Sequence, residues 1–421
     1  MSNYNFKIST DYKKNIGNLP FAFCNLLFKT FAFCLLLFAF SQYTNAQTKI
    51  TLETAIETAL KNNNLIKNEK LKVDYAKALI SSSTDIPKTT IFGEFGQINS
   101  NQNDTKFGIA QSFALPAVYK RQKQVLTENY NAKILQTNLT EFEVKKTVTH
   151  LFYNYLSLRE KEKLLQKADT LFSKFYEKAN LRLQKGESNI LEKSTAETQK
   201  TNIAIQLKQL QSEIEMIKLE FQLVLNATET YLPNASNLKA KIEANKLEEN
   251  PILKLFEQQK KIVSAETAIL KSKLLPEINF GYNNNSFRGI GLDDAQRFHS
   301  AQIGIGIPLF GGSQKAKINA SKVAENIAES EYQTQILNLK SEYNKLLTQY
   351  KSNLEIINYF ETNSNNNSKI ITDVANKQFI NGDINYLDFV MLVNQSISIQ
   401  NSYIEAVKSL NESVIALNYL R

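Results

Sequence analysis

The sequence predicts a mainly α-helical chain with a small β part, built as a duplicated unit. Only 13 Gly and 7 Pro punctuate its 421 residues. Both residues interrupt helices, so their scarcity favours long ones. The stretches 117–185 and 313–381 each run 69 residues with neither. A motif around a glycine also occurs twice, A-N-L-R-L-Q-K-G-E-S-N-I-L-E from Ala179 and A-N-K-Q-F-I-N-G-D-I-N-Y-L-D from Ala375. It sets Gly186 and Gly382, Asn189 and Asn385, Leu191 and Leu387, and Glu192 and Asp388 each 196 residues apart.

Taken in chain order, the first element is an export signal. Residues 31–40 are ten consecutive apolar residues behind Lys29, and Thr44-Asn45-Ala46 supplies small residues at the positions a signal peptidase reads. A permanent membrane helix needs roughly 20 apolar residues. The segment 1–46 is therefore expected to be a cleaved signal peptide, with the mature chain starting at Gln47. Phe33 stands before Cys34 where a lipoprotein signal would carry Gly or Ala, so no lipid anchor is expected.

Both cysteines, Cys24 and Cys34, fall inside that segment, and the only histidines are His150 and His299. This composition argues against a disulfide framework, a multi-ligand zinc site and a Cys–His nucleophile pair. Lys7, Lys13, Lys14 and Lys29 against Asp11 account for three of the nine net positive charges, leaving +6 on the mature chain. So mild an excess does not point to nucleic acid. No metal site, cofactor or catalytic constellation is expected. The G-I-G-I-P run at 304–308 lacks the Lys-Ser or Lys-Thr of a phosphate loop and sits in an alternating stretch.

The mature chain divides into repeats at about 47–235 and 236–421. Asn63-Asn64-Leu65-Ile66-Lys67 corresponds to Asn250-Pro251-Ile252-Leu253-Lys254, Ile86-Pro87 to Leu275-Pro276, and Ile109–Leu115 to Ile303–Leu309. Each repeat reads helix, two strands, very long helix, glycine turn, helix. Ala316, Ala320, Val323, Ala324, Ile327 and Ala328 follow the stripe of an amphipathic helix. The N-S-N-N-N-S run at 363–368 is expected to interrupt the second long segment, leaving one rod and two stacked helices both open. At 1.5 Å per residue a 69-residue helix reaches about 100 Å.

The strands show period two. Ile278, Phe280 and Tyr282 alternate with Asn279, Gly281 and Asn283, and Ile303, Ile305 and Ile307 alternate with Gln302, Gly304 and Gly306. One face is thus apolar and the other polar. A soluble sheet packed on the helices and a membrane barrel wall both fit this pattern. Export, and the lack of a membrane-length apolar run after residue 46, favour the barrel. Four strands cannot close one, so several chains would have to share it.

These features resemble the TolC-type outer-membrane efflux factor family over the whole mature chain. The resemblance rests on T-L-E-T-A-I-E-T-A-L-K-N-N-N from Thr51, N-P-I-L from Asn250, and the segments after Gly186 and Gly382. It implies a homotrimer in the bacterial outer membrane, with four strands per chain building one twelve-stranded transmembrane β-barrel. The coiled-coil helices would form an α-barrel tunnel in the periplasm. Members are passive ducts served by an inner-membrane pump through a periplasmic adaptor (membrane fusion protein). F-G-I-A-Q-S-F-A-L-P from Phe107 and K-G-E-S-N-I-L-E from Lys185 look most like channels of metal-cation pumps of the resistance–nodulation–division class. Drug-efflux and type I secretion ducts are the alternatives, as is a periplasmic coiled-coil adaptor or scaffold.

The resemblance also implies sites. The turns at Gly186 and Gly382, with Glu187 and Asp383, are the expected adaptor-docking turns. Asp388, six residues past Gly382, corresponds to a gate acid at the narrowed tunnel end; its repeat partner Glu192, as a neighbouring acceptor, and Met391, as an apolar constriction, complete the expected periplasmic gate. The sequence departs from the family's best-known gate at Met391 and Ile384, where other members carry an acid and a basic residue. A plain helix-terminal acid favoured by the dipole is the alternative for Asp388.

Overall fold

The computed structural model describes residues 48–99, 101–227, 229–243, 249–287 and 296–420. The expected signal segment 1–46, with Cys24 and Cys34, lies outside them. The elements run β1 (Thr48–Ile50), α1 (Leu52–Asn62), α2 (Asn64–Ile80), β2 (Thr90–Gly96), β3 (Asp104–Ala114), α3 (Pro116–Gln184), α4 (Ile190–Leu225) and β4 (Tyr231–Pro233). They continue with α5 (Pro251–Ser272), β5 (Glu277–Phe287), β6 (Gln296–Gly306), α6 (Gly312–Tyr359), a π-helical turn (Phe360–Ser364), α7 (Asn365–Asn381) and α8 (Tyr386–Asn418). No helix among the described residues is long and apolar enough to cross a membrane.

Helix α3 fills the first Gly- and Pro-free run, starting at Pro116, where a missing N–H costs nothing. Val144, Leu151, Leu158, Leu165, Phe172 and Ala179 are buried along it at seven-residue intervals, and Ala196, Ile203 and Leu210 repeat the interval on α4. That period keeps one seam of each helix turned to its neighbour. Each large side chain buried there contributes about 1.5–3 kcal/mol. The second run is interrupted by a π-helical turn at Phe360–Ser364, which overlaps the first two residues of the expected 363–368 run. The turn is held by Glu361, whose Oε1 accepts from Lys239 Nζ at 2.6 Å and from Tyr403 Oη at 2.7 Å.

The two halves of the chain match down to single hydrogen bonds. Asn63 caps α2 by accepting from Leu65 N at 2.8 Å, and its Nδ2 donates to Val224 O at 2.9 Å, at the end of α4. Asn250 caps α5 from Ile252 N at 2.7 Å and donates to Leu420 O, just past α8, at 2.7 Å. The two asparagines pin the start of the strand-bearing arm to the end of the returning helix in each half.

Between the halves an extended segment is fastened to α8 by two further asparagines. Asn411 donates to Leu238 O at 2.7 Å and accepts from Ala240 N at 2.8 Å. Asn418 donates to Lys241 O and accepts from Glu243 N, both at 2.8 Å. Strands β1 and β4 pair with each other in a small second sheet absent from the sequence reading.

The four main strands form one antiparallel sheet in the order β2-β3-β5-β6. Its register aligns Ile91 with Ile109, Ile109 with Tyr282, Ile278 with Ile305 and Phe280 with Ile303. One face therefore carries Ile91, Phe107, Ile109, Phe280, Ile303 and Ile305. The other carries Lys106, Asn279, Asn283 and Gln302, with glycines between them. Ile307, expected at the end of the last strand, lies just beyond β6.

Candidate functional site

Two regions hold the residues singled out by sequence: the sheet, and the two glycine turns at the far ends of the long helices. The apolar face of the sheet is bare. Ile91 is 80% exposed, Ile303 73% and Ile305 67%. Among the described residues, strands β2 and β6 each pair along one side only. An apolar surface beside two unpaired edges is unstable in water and calls for a covering medium and a pairing partner. His299 lies within β6, not beside a strand, and its Nδ1 is 2.5 Å from Tyr282 Oη.

The first turn closes α3. Gly186 has φ +73°, a left-handed conformation that favours glycine. Gly186 N donates to Leu183 O at 3.1 Å and Glu187 N to Arg182 O at 2.9 Å. The second turn closes α7 with the same pair of bonds, Gly382 (φ +84°) to Phe379 O at 3.3 Å and Asp383 N to Gln378 O at 2.9 Å. Both are Schellman motifs, which satisfy the last carbonyls of a helix while reversing the chain. Asn189 then caps α4, accepting from Glu192 N at 3.0 Å. Asn385 caps α8, accepting from Leu387 N at 2.8 Å and Asp388 N at 3.0 Å. Glu187 and Asp383 are exposed at the two tips.

The two acids six residues on have different surroundings. Glu192 is 3% exposed. Its carboxylate accepts from Arg182 Nη1 at 3.0 Å and from Ser188 Oγ, so it braces its own turn from inside. In this conformation it projects into no open space and does not join Asp388 in one cluster. Asp388 is half-buried and makes no ion pair among the described residues. Met391, one helical turn further along α8, is 62% exposed. Between them Phe389 faces inward, its ring centroid 4.6 Å from Phe379 and 5.2 Å from Phe175. This phenylalanine cluster fixes α8 so that Asp388 and Met391 look away from the packed interior. Apolar side chains flank both turns in the open: Leu181, Ile190 and Leu191 at the first, Ile380 and Leu387 at the second.

Sequence reading missed Arg182 and Ser188, the partners of Glu192. The available signal was the spacing Arg182-x3-Gly186-x-Ser188, which brings both to the acid once the chain reverses.

Residues 244–420, within the second of the two repeats, match the family model described as outer membrane efflux protein. A comparison with curated proteins gives no match. Among solved structures, the chain is similar to the outer-membrane channel OprN at 16% identity and a TM-score of 0.73, covering 88% of this chain and 89% of that one. It is similar to CusC at 18% identity and a TM-score of 0.72, over 90% and 95% of the two chains. The Campylobacter jejuni CmeC outer membrane channel follows at 15% identity and 0.72, over 88% and 85%. The protein thus has the fold of these channels along nearly its full length.

Proposed function

We propose that this chain is the outer-membrane exit duct of a tripartite efflux system. The observation that carries the reading is the sheet: one bare apolar face, a polar opposite face and two unpaired edges, on a helical shaft about 100 Å long. Three copies joined edge to edge would close a twelve-stranded barrel with the Ile91–Ile303–Ile305 face toward lipid and the Asn279–Asn283–Gln302 face toward the lumen. The exposed apolar residues of α4 and α6, Leu219, Leu223 and Val323 among them, would be covered in the same trimer. The match of residues 244–420 to the efflux-protein model supports the same reading.

In this reading the turns at Gly186 and Gly382, with Glu187 and Asp383, dock a periplasmic adaptor that couples the duct to a pump of the resistance–nodulation–division type. Asp388 forms a ring of three carboxylates at the closed end, and Met391 an apolar constriction beside it. Such a ring concentrates negative potential in a narrow mouth and attracts cations. Heavy-metal cations are the proposed substrate class, on the likeness of the segments from Phe107 and Lys185 to channels of such pumps. Detergent extraction of outer membranes should yield a species of three protomer masses that dissociates on heating; a soluble periplasmic monomer would overturn the proposal. Gly382→Trp should abolish export while the trimer still inserts.

A further inference from the structure

We infer that the bare face of strands β5 and β6 carries, at its end away from the helices, a binding site for the phosphate headgroup of an outer-leaflet lipid. The inference rests on the duct reading, which turns this face toward lipid. Opposite residues of an antiparallel pair share a face. The register therefore continues the rows Ile278–Ile305, Phe280–Ile303 and Tyr282–Ala301 into Asn284–His299 and Ser286–Arg297. The face is apolar near the helices and becomes polar and cationic at its far end. At about 3.4 Å per residue the strand from Ile305 to Arg297 runs about 27 Å, and a tilt of about 40° makes that about 21 Å of height. The apolar band of such barrels is about 25 Å tall, so Arg297 stands where hydrocarbon gives way to headgroups. On the neighbouring strands the face stays apolar at this level: Phe107 is opposite Asn284, and Phe95 packs edge to face on Phe107 at 5.5 Å. The switch to a cationic surface is local to β5 and β6.

A chain of hydrogen bonds orders this end. Arg297 Nη1 donates to Asn284 Oδ1 at 2.5 Å, which turns the amide so that Asn284 Nδ2 lies 3.2 Å from His299 Nδ1. An amide nitrogen only donates, so Nδ1 accepts and the neutral ring carries its proton on Nε2. Tyr282 Oη, 2.5 Å from the same Nδ1, donates to it as well. What remains unspent is a set of donors: His299 Nε2–H and the other guanidinium N–H groups. Both side chains are exposed, and neither forms an ion pair among the described residues. An arginine facing the membrane is costly without a counter-charge. A phosphate supplies that charge and enough acceptor oxygens to take the guanidinium fork and the imidazole together. The acyl chains of the same lipid would lie along Phe280 and Ile303 below it, so one amphiphile satisfies both ends of the face.

The test titrates the detergent-extracted full chain with phosphatidic acid, or with the diacylglycerol of the same acyl chains, and reads bound lipid by native mass spectrometry. Phosphatidic acid should be retained and the diacylglycerol lost. Arg297→Gln/His299→Gln should weaken phosphatidic acid binding at least about 10-fold. Arg297→Lys should keep most of the affinity, separating charge from any disturbance of the strand. Excess inorganic phosphate should leave the lipid in place. Equal retention or equal loss of the two lipids, or unchanged binding in the double variant, would overturn the inference while leaving the duct reading intact. Displacement by inorganic phosphate would make the site one for the free ion, and dissociation of the assembly in Arg297→Gln would assign the arginine to a second copy across the β6 edge; either result overturns it too. A chain recovered as a soluble periplasmic monomer would remove the duct reading and this site with it.

Discussion

The two glycine turns share one backbone and differ in their side chains. Gly186 and Gly382 close the same Schellman motif, and Asn189 and Asn385 open the next helix in the same way. The first turn then fills its interior with Arg182, Ser188 and Glu192. At the corresponding positions the second turn has Gln378, Ile384 and Asp388. Losing the guanidinium and the hydroxyl leaves the second acid unbraced. A positive φ and an asparagine cap are enough to specify the reversal. Whether the acid stabilises the turn or stays available to something outside it depends on two further residues. The two turns share one geometry, and among the described residues only the first braces its carboxylate with a cation and a hydroxyl.

The largest effect should come from breaking the brace. Arg182→Ala strands a carboxylate with almost no solvent contact and should cost about 2–3 kcal/mol, less than a fully buried pair because Arg182 is itself partly exposed. Gln378→Ala, its counterpart, should change stability by under about 0.5 kcal/mol. Denaturant unfolding of both variants measures the contrast, and equal losses would contradict it. Next, Gly186→Ala and Gly382→Ala should each cost about 1–2 kcal/mol. Space around an added Cβ is open at both, so the penalty is purely conformational and should be the same at the two turns.

A smaller effect separates both turns from the π-helical one. There Lys239, by its hydrogen bond, and then Tyr403 hold the Glu361 carboxyl below its ordinary value of 4.5. A lowered folded value means the contribution is complete above pH 4.5 and is lost as pH falls below it through the folded value. With both partners solvent-accessible it amounts to under about 1 kcal/mol. Glu361→Gln should flatten this acid limb in pH-dependent thermal unfolding. The smallest stability change is expected for Asp388→Asn, at most about 0.5 kcal/mol from the helix dipole. Its consequence should appear in single-channel recordings, as reduced cation selectivity and weaker block by divalent cations. Glu192→Gln should leave selectivity unaltered while destabilising the first turn.

The turns were legible because only glycine adopts their φ cheaply and because asparagine capping is a local rule. Helix α3 was legible almost to the residue, since Pro116 and Gly186 bound it. The strand faces followed from simple alternation. The burial of Glu192 was not legible: Arg182 reads like any exposed helical cation until the chain reverses and brings it across ten residues. Strands β1 and β4 are three residues each, too short for alternation to register. The break at Phe360–Ser364 begins three residues before the Asn/Ser run and overlaps its first two. Its anchor Glu361 is held by Lys239, 122 positions away, and by Tyr403, 42 away. Tertiary contacts of that kind override local propensity.

The asparagines on α8 carry a consequence for how the chain can be completed. Asn411 and Asn418 read the segment between the halves entirely through its peptide groups, two carbonyls and two amides, so the side chains of Leu238, Ala240, Lys241 and Glu243 take no part in that recognition. Some side chains of the segment are tied down separately, Leu238 and Ala240 by packing on the core and Lys239 by its bond to Glu361. The fasteners, however, are made more than 170 positions later, close to the C-terminal end. Until those last turns of helix have emerged and folded, the segment beyond β4 lacks all four of these bonds. A ribosome stalled, or a protease acting, just short of Asn411 would remove all four of these bonds together with the Leu420 carbonyl that pins Asn250.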